Sequence, residues 1–396
     1  MIIIMSLLFI ICIYLTFYVS YLLLLLIASF SPEKTNDESS EKKKLFVILI
    51  PAHNEELFIG RLLKSVSLQN YPKEYFDTVV VADNCTDNTA SIAREYGAVV
   101  YERLDLTAMG KGHALKYGIE RINLERYEAV VVVDADCIIH KEFLATFNKY
   151  LQSGFLILQA ASAPANASQS WFTRLSDISH AVSNEIILKG KKRLGLSIPL
   201  MGTGMCFSTE ILKQYGWNAF TIGEDLEYYC HLLSDDQKIF FAKEAKVFHE
   251  ESQNLKQATS QRIRWSSGKF AMAFKYGFKL LFMGMKEMNI NKMDGSLLLL
   301  LPNPSLGINL TLLALICATT FITIDLPKSF ALYFLALLLI QVGFFMLGIF
   351  YTKEKTKSFL AIFFAPGFLA WKITIDLLSV FGAGRKRWVP TKRSLD

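Results

Sequence analysis

The first 32 residues, Met1 to Pro32, contain no charged side chain, and no other feature constrains the chain as tightly. A run of that length and composition forms a helix able to cross the roughly 30 Å hydrocarbon core of a bilayer. A secretory signal would open on a basic segment, hold a shorter apolar core and end at a small-residue cleavage site; this run has no basic opening and no clear site. Residues 1–30 are therefore expected to be a retained transmembrane anchor. The whole chain, 396 residues of which 52% are hydrophobic, exceeds one ordinary globular domain and suits a membrane protein with a soluble part.

Residues 31–44, "SPEKTNDESSEKKK", lack apolar side chains and read as a linker. From Leu45 the pattern changes to strand-like apolar runs alternating with helical ones. "LFVILIP" is followed by a helix from Glu55 to Ser67, "TVVVAD" by a helix from about Thr86, and "AVVYER" by a helix through "GHALKYGIERI". Such alternation predicts an α/β domain with a mostly parallel sheet over residues 45–256. Ligands in such sheets bind at the carboxyl ends of the strands. The next run, "AVVVVDADC" (Ala129–Cys137), ends on two carboxylates. If it stays extended, Asp134 and Asp136 share a face and repel unless a cation lies between them. The other reading is a strand followed by an Asp-rich turn.

Beyond residue 294 the chain is apolar again. Residues 306–324 and 330–351 are each long and uncharged enough to span a membrane. Residues 359–381 read as interfacial, re-entrant or transmembrane, because Pro366 and Gly367 interrupt them and Lys372 and Asp376 lie four apart. Basic clusters at Lys42–Lys44, at Lys353, Lys355 and Lys357, and in the tail 382–396 are all expected on the cytoplasmic side. Three spans with an external amino terminus satisfy this, at the plasma (inner) membrane, with the α/β domain cytoplasmic. The stretch 257–290, "QRIRWSSGKFAMAFKYGFKLLFMG" within it, interleaves Arg262, Arg264, Lys269, Lys275 and Lys279 with aromatics and Met, the composition of an interfacial helix.

A net charge of +6, gathered near the apolar segments, favours membrane lipids over nucleic acid as a partner. The six cysteines fall singly, without the spacing of a zinc site or a redox pair. Phosphate loops fail as well. In "MGKGHAL", Gly112 stands where a P-loop needs Ser or Thr, Asp105 stands where its first glycine would be, and no G-x-G-x-x-G follows a strand. A divalent metal held by carboxylates is then the expected means of managing a diphosphate.

"IPAHNEE", "VVVADNCTDNTA", "GKGHAL", "VVVDADC", "MGTGMCFS", "TIGEDLEYY" and "QRIRW" occur in the order seen in the family 2 inverting glycosyltransferases, which the chain resembles from Leu45 to about Lys286. The resemblance is strongest to the membrane-embedded branch of cellulose, hyaluronan and chitooligosaccharide synthases. It implies a GT-A type nucleotide-sugar-binding domain and a donor that is usually a UDP-sugar. By the same resemblance Pro51, Ala52, Asn54, Glu55, Asp83, Lys111 and Asp134 would bind donor, Asp83 contacting the uridine. Asp136, with Asp134, would hold Mg²⁺ or Mn²⁺. Asp225 would be the catalytic base with Glu224 beside it, and Gln261, Arg264, Trp265, Gly202, Thr203 and Gly204 would face the diphosphate and acceptor. Two positions depart from the pattern: Ala82 precedes a single Asp83, and Gly223 stands where relatives often have threonine. Read without the family, Glu224 and Asp225 would be a helix N-terminal acidic cluster, and Arg264 and Trp265 interface anchors.

The expected activity is transfer of a sugar from a nucleotide sugar to a saccharide or lipid-linked acceptor at the membrane. It would be either processive polymer synthesis or single-sugar transfer to a lipid. A membrane nucleotidyltransferase would need a Gly-rich loop after the first strand, where this chain has "PAHNEE", and a non-catalytic scaffold would be expected to have lost acidic motifs.

Overall fold

The computed structural model describes residues 2–32, 42–320 and 327–382. Eight strands form one sheet: β1 (Phe46–Ala52), β2 (Phe76–Asp83), β3 (Val99–Arg103), β4 (Ala129–Val132), β5 (Cys137–Ile139), β6 (Ile157–Pro164), β7 (Met205–Ser208) and β8 (Phe240–His249), in the order β3-β2-β1-β4-β7-β6-β8-β5. The β3-β2-β1-β4 half is parallel throughout, as is β6 on β8. β7 enters between β4 and β6 and runs antiparallel to both. β1 and β4 are apolar along their whole length because both of their faces are covered. Val47, Leu49, Val130 and Val132 pack on one side with the helices Lys111–Ile119 and Glu224–Ser234, and Phe46, Ile48, Ile50 and Val131 on the other with Ile59–Ser67 and Phe143–Gln152.

Two boundaries differ from those read in the sequence. The helix expected from Glu55 begins at Ile59. Residues 55–58 form a turn instead: Asn54 adopts φ 55°, and Thr89 Oγ1 holds the Glu55 amide at 2.8 Å, which fixes how the chain enters the helix. The run from Ala129 leaves the sheet after Val132, so Asp134 and Asp136 do not share a strand face. They lie in a turn closed by the Cys137 amide on Asp134 O at 3.1 Å.

Among the described residues three helices are long and apolar enough to cross a membrane: Met5–Ser29, Lys328–Tyr351 and Lys355–Val380. The span expected at 306–324 is described as far as Thr320; there it forms the second arm, Pro304–Thr320, of a pair bent by 61° against Ile290–Leu300. Its residues 321–324, and most of the expected linker and basic tail, lie outside the described residues. Within 359–381, Pro366 does not break the helix. A short 3₁₀ turn, Ile362–Phe364, precedes it, and proline sits in the first turn of Ala365–Val380, where its missing N–H costs nothing. That last helix lies along Leu255–Met272: Trp371 Nε1 donates to Thr259 Oγ1 at 3.3 Å, Lys372 Nζ to Ser266 Oγ at 2.9 Å and Ser379 Oγ to Ile263 O at 3.3 Å. The first helix is tied to the rest through Asp294, which accepts from Tyr21 OH at 2.5 Å and from buried Lys191 at 2.6 Å.

Candidate active site

A cleft of about 230 Å³ opens at the carboxyl ends of β1, β2 and β4. Its floor and walls bring together Pro51, Ala52, Asn54, Glu55, Asp83, Lys111, Asp134, Asp136 and Arg264 from five separate motifs. Chain order alone would scatter these residues over more than two hundred positions. The parallel register of β1 with β2 and β4 is what gathers them.

Lys111, first residue of its helix, is the hub. Its ammonium lies 2.5 Å from Asp134 Oδ1 and 3.8 Å from Glu224 Oε1, and donates to Gly202 O at 2.6 Å. Gly202 permits this approach. It holds φ +79°, and a Cβ there would come within 3.3 Å of Asp225 Oδ2 and 3.5 Å of Lys111 Nζ. Gly112, the residue that spoils a P-loop, is needed for a different contact: a Cβ would fall 2.1 Å from Ala219 O. Thr203 Oγ1 accepts the Asp134 amide at 3.1 Å and Gly204 O accepts the Ala160 amide at 2.8 Å, so both shape the turn from behind.

Glu224 and Asp225 open the helix Glu224–Ser234, where Asp225 Oδ1 accepts the first-turn Leu226 amide at 2.8 Å, while Glu227 ties down the loop that leads into it. Glu227 Oε2 accepts the amides of Phe220 and Thr221, each at 3.0 Å, and its other oxygen pairs with Lys275 at 3.1 Å. Glu224 and Asp225 also face Lys111. Burial pushes both carboxyls up, Glu224 to about 7, against the pull of the Lys111 ammonium; the adjacent Asp225 raises Glu224 further. Two poised carboxyls beside a cleft are suited to moving a proton near neutral pH.

The geometry also supplies a partner that reading the sequence missed. Asp83 is 5% exposed and pairs with Arg103 at 2.6 Å; Arg103 in turn reaches Asp105 at 2.9 Å. In the β2/β3 register Asp83 stands opposite Arg103, so a charged residue ending each of two consecutive parallel strands was the available signal. Burial raises the Asp83 carboxyl and Arg103 opposes the shift. His53 Nδ1 lies 2.7 Å from Asp83 O and lines the same cleft.

From the helix Leu255–Met272, Arg264 reaches the cleft and forms no ion pair among the described residues. Trp265 is 43% exposed with the Arg262 guanidinium 4.5 Å from its ring, and Gln261 is buried, its Oε1 without a partner. Neither Gln261 nor Trp265 lines the donor-side cleft, nor do Glu224, Asp225, Gly202, Thr203 and Gly204. For a divalent cation the donor set fits: Asp134 and Asp136 offer hard carboxylate oxygens in the cleft. The Lys111 ammonium, 2.5 Å from Asp134 Oδ1, offsets part of that charge.

A second buried cluster was not singled out in the sequence. His180, His249 and Glu251 bring their ligand atoms within 4.8 Å of one another. Arg262 is 2.9 Å from Glu251, Ser176 Oγ donates to it at 2.5 Å, and both imidazoles are anchored on Ser162. The guanidinium fills the cationic role, so the cluster reads as a network joining the helix Trp171–Val182, the end of β8 and the "QRIRW" helix. Burial drives the His180 imidazole down to about 3, with His249 adding to the shift. An imidazole kept neutral in the fold and free to protonate when unfolded stabilises above its unfolded pKa of about 6.5 and loses that contribution as pH falls toward 3. Glu251, held well below its ordinary value by Arg262 against its burial, loses its contribution in the same direction. Lowering pH from 7 to 5 is thus expected to destabilise the protein by on the order of 2 kcal/mol through His180. Thermal unfolding of His180→Asn should show a flatter slope over that range; an unchanged slope would contradict the assignment.

The family model described as "Glycosyltransferase like family 2" matches residues 43–268, more than half of the chain. The probable glycosyltransferase YdaM of Bacillus subtilis (strain 168) is 27% identical over 246 residues, 58% of this chain and 56% of that protein. The 4,4'-diaponeurosporenoate glycosyltransferase of Staphylococcus aureus (strain USA300) is 39% identical over 116 residues, 28% of this chain and 29% of that protein. The chain thus spans about half the length of the first relative and under a third of the second. A mannosyltransferase from Pyrobaculum calidifontis, solved in complex with GDP-Man and Mn²⁺, matches with a TM-score of 0.55 at 18% identity, covering 85% of this chain and 98% of that one. At that identity the likeness is one of fold, and the fold is of the GT-A type.

Proposed function

The chain belongs to glycosyltransferase like family 2, and on that premise we propose that it is a membrane-bound, metal-dependent, inverting glycosyltransferase that moves a sugar from a nucleotide sugar to an acceptor at the membrane face. One observation carries the reading: Asp83, Lys111, Asp134, Asp136 and Arg264 line a single cleft, with Glu224 behind Lys111. Asp83, steadied by Arg103, would meet the base of the nucleotide, which we take to be uridine. Arg264 would offset the diphosphate. Mg²⁺ or Mn²⁺, held by Asp136 with Asp134, would supply the remaining charge neutralisation when bound.

Inverting transfer needs a base on the face of the sugar opposite the diphosphate. We assign it to Asp225, with Glu224 holding the neighbouring proton and Lys111 setting the distance between the acid pair and Asp134. Asn54, Glu55, Gly202, Thr203 and Gly204 would shape the donor and acceptor walls, and Gln261 and Trp265 would close the acceptor side. Between the two acceptor readings, single-sugar transfer to a lipid is favoured over a polymer. The 39% identical relative is named for transfer to 4,4'-diaponeurosporenoate, which supports a glycolipid product over the synthase branch. Incubating the purified protein with UDP- and GDP-sugars and membrane lipids, and reading product mass, tests this: a ladder of sugar additions would overturn it.

We infer the orientation from the course of the last helix. Residues 371–379 hydrogen-bond along the helix that delivers Arg264 to the cleft, which supports an interfacial course for this segment and a cytoplasmic basic tail. A cysteine at Thr391 is expected to resist impermeant thiol reagents in intact cells and to label after permeabilisation. Labelling in intact cells would restore a full span.

A further inference from the structure

A second cavity, of about 720 Å³, lies away from the donor cleft, between the face of β5, β6 and β8, the helix Trp171–Val182 and the turn Thr352–Glu354. That turn joins two of the helices long and apolar enough to cross a membrane. Large apolar side chains stand exposed beside it, Phe350 at 68% and Phe363 at 73%. The cavity therefore opens where aqueous protein meets the proposed bilayer surface.

Its lining holds hydrogen-bond acceptors that lack donors. Asn184 is 8% exposed; its Nδ2 donates to Ser162 O at 2.9 Å, and its Oδ1 has no partner. A buried amide oxygen left in that state is costly unless a ligand or water fills it. Asp177 forms no hydrogen bond or ion pair among the described residues; burial raises its carboxyl, and Lys353 and Arg174 oppose that shift from a distance. Its oxygens therefore have capacity for a ligand's hydroxyl donors. Arg174 is committed to Glu354 at 2.7 Å and Lys243 to Glu185 at 2.5 Å. Lys246 and Lys353 line the rim, exposed, with no ion pair among the described residues. Four cations against three carboxylates leave the lining net positive.

Unfilled acceptors within and free ammonium groups at the rim together describe a ligand: a phosphodiester carrying a hydroxylated arm. We propose that this cavity binds such a headgroup, with its hydroxyls donating to Asp177 and Asn184 and its phosphate meeting Lys246 and Lys353. A glycerophospholipid of the adjoining leaflet and a soluble glycerophosphodiester share this chemistry. The site goes beyond the transfer reaction and does not depend on it.

The test is native mass spectrometry of the full chain in micelles with equimolar phosphatidylglycerol, phosphatidylmethanol and phosphatidylcholine of matched acyl chains. Wild type should retain phosphatidylglycerol best, since phosphatidylmethanol has the phosphodiester without the hydroxylated arm. Lys246→Ala with Lys353→Ala, both exposed and safe for folding, should weaken retention by about tenfold, the scale of two modest ion pairs. Asp177→Ala should erase the preference over phosphatidylmethanol, while Lys355→Ala, outside the cavity, should keep both. Displacement by soluble glycerophosphoglycerol at comparable concentration would support the site and assign it to the soluble source; failure to displace would assign it to the lipid. Equal retention of all three lipids by wild type, or unchanged retention by the double lysine variant, would overturn the proposal.

Discussion

Asparagine at position 225 is expected to lower sugar transfer by about 10²-fold or more, the usual scale for losing a positioned acid or base, with nucleotide binding close to wild type. The separation of effects follows from the geometry. Asp225 lies next to Gly202 and is absent from the lining of the donor cleft, which Asp134 and Asp136 line. The substitution keeps the size of the side chain and an oxygen for the Leu226 amide, which now donates to Asp225 Oδ1 at 2.8 Å. Calorimetry with UDP beside transfer from labelled donor measures both halves. Near-normal transfer, or a loss of UDP binding as deep as that of Asp136→Ala, would move the assignment to Glu224. The pH profile adds a second readout. With Glu224 raised to about 7, the acid pair holds a proton below neutrality, so transfer should rise as pH passes through that region. Glu224→Gln removes the neighbouring charge and should carry the rising limb to lower pH.

Asp136→Ala is expected to act at the other end of the cleft, on donor binding. Lys111 lies 2.5 Å from Asp134 Oδ1, so Asp134 arrives partly neutralised, and the metal role is assigned to Asp136, which lines the same cleft. Its loss should cost about 4 kcal/mol of charge stabilisation, or about 10³-fold in transfer, and make the residual activity insensitive to chelator. Full transfer by Asp136→Ala in the presence of chelator would remove the metal from the account.

The central strands of the parallel half of the sheet could be read from the sequence because they announce themselves. Phe46–Ala52, Ala129–Val132 and the latter half of Phe76–Asp83 are buried, and strands covered on both faces are apolar runs, whereas the edge strand Val99–Arg103 is largely exposed and mixed in character. The motif order likewise placed Lys111, Asp134 and Asp136 together. Features set by contacts distant in sequence were not legible. Nothing in "MCFS" indicates that β7 runs backwards between β4 and β6. The stop of β4 at Val132 depends on a turn that closes on Cys137, and the entry into the helix at Ile59 depends on Thr89 holding an amide from 34 residues away. The Asp83–Arg103 pair needed the β2/β3 register, and the Glu251–Arg262 pair needed the packing of the "QRIRW" helix against the end of β8. The bland reading of the acidic cluster holds in part: Asp225 Oδ1 does accept a first-turn amide, that of Leu226, while Glu227, third of the cluster, holds the amides of Phe220 and Thr221 in the preceding loop.

The most direct measurement is the mass and anomeric configuration of the product formed when the purified full chain, in a lipid bilayer with Mn²⁺, meets a panel of nucleotide sugars and a membrane lipid extract. The account predicts a lipid heavier by one sugar, joined with the anomeric configuration opposite to that of the donor, with one nucleoside diphosphate released per transfer and none of this in Asp225→Asn. A product that retains the donor's configuration, or nucleotide released while no acceptor gains mass, would contradict it.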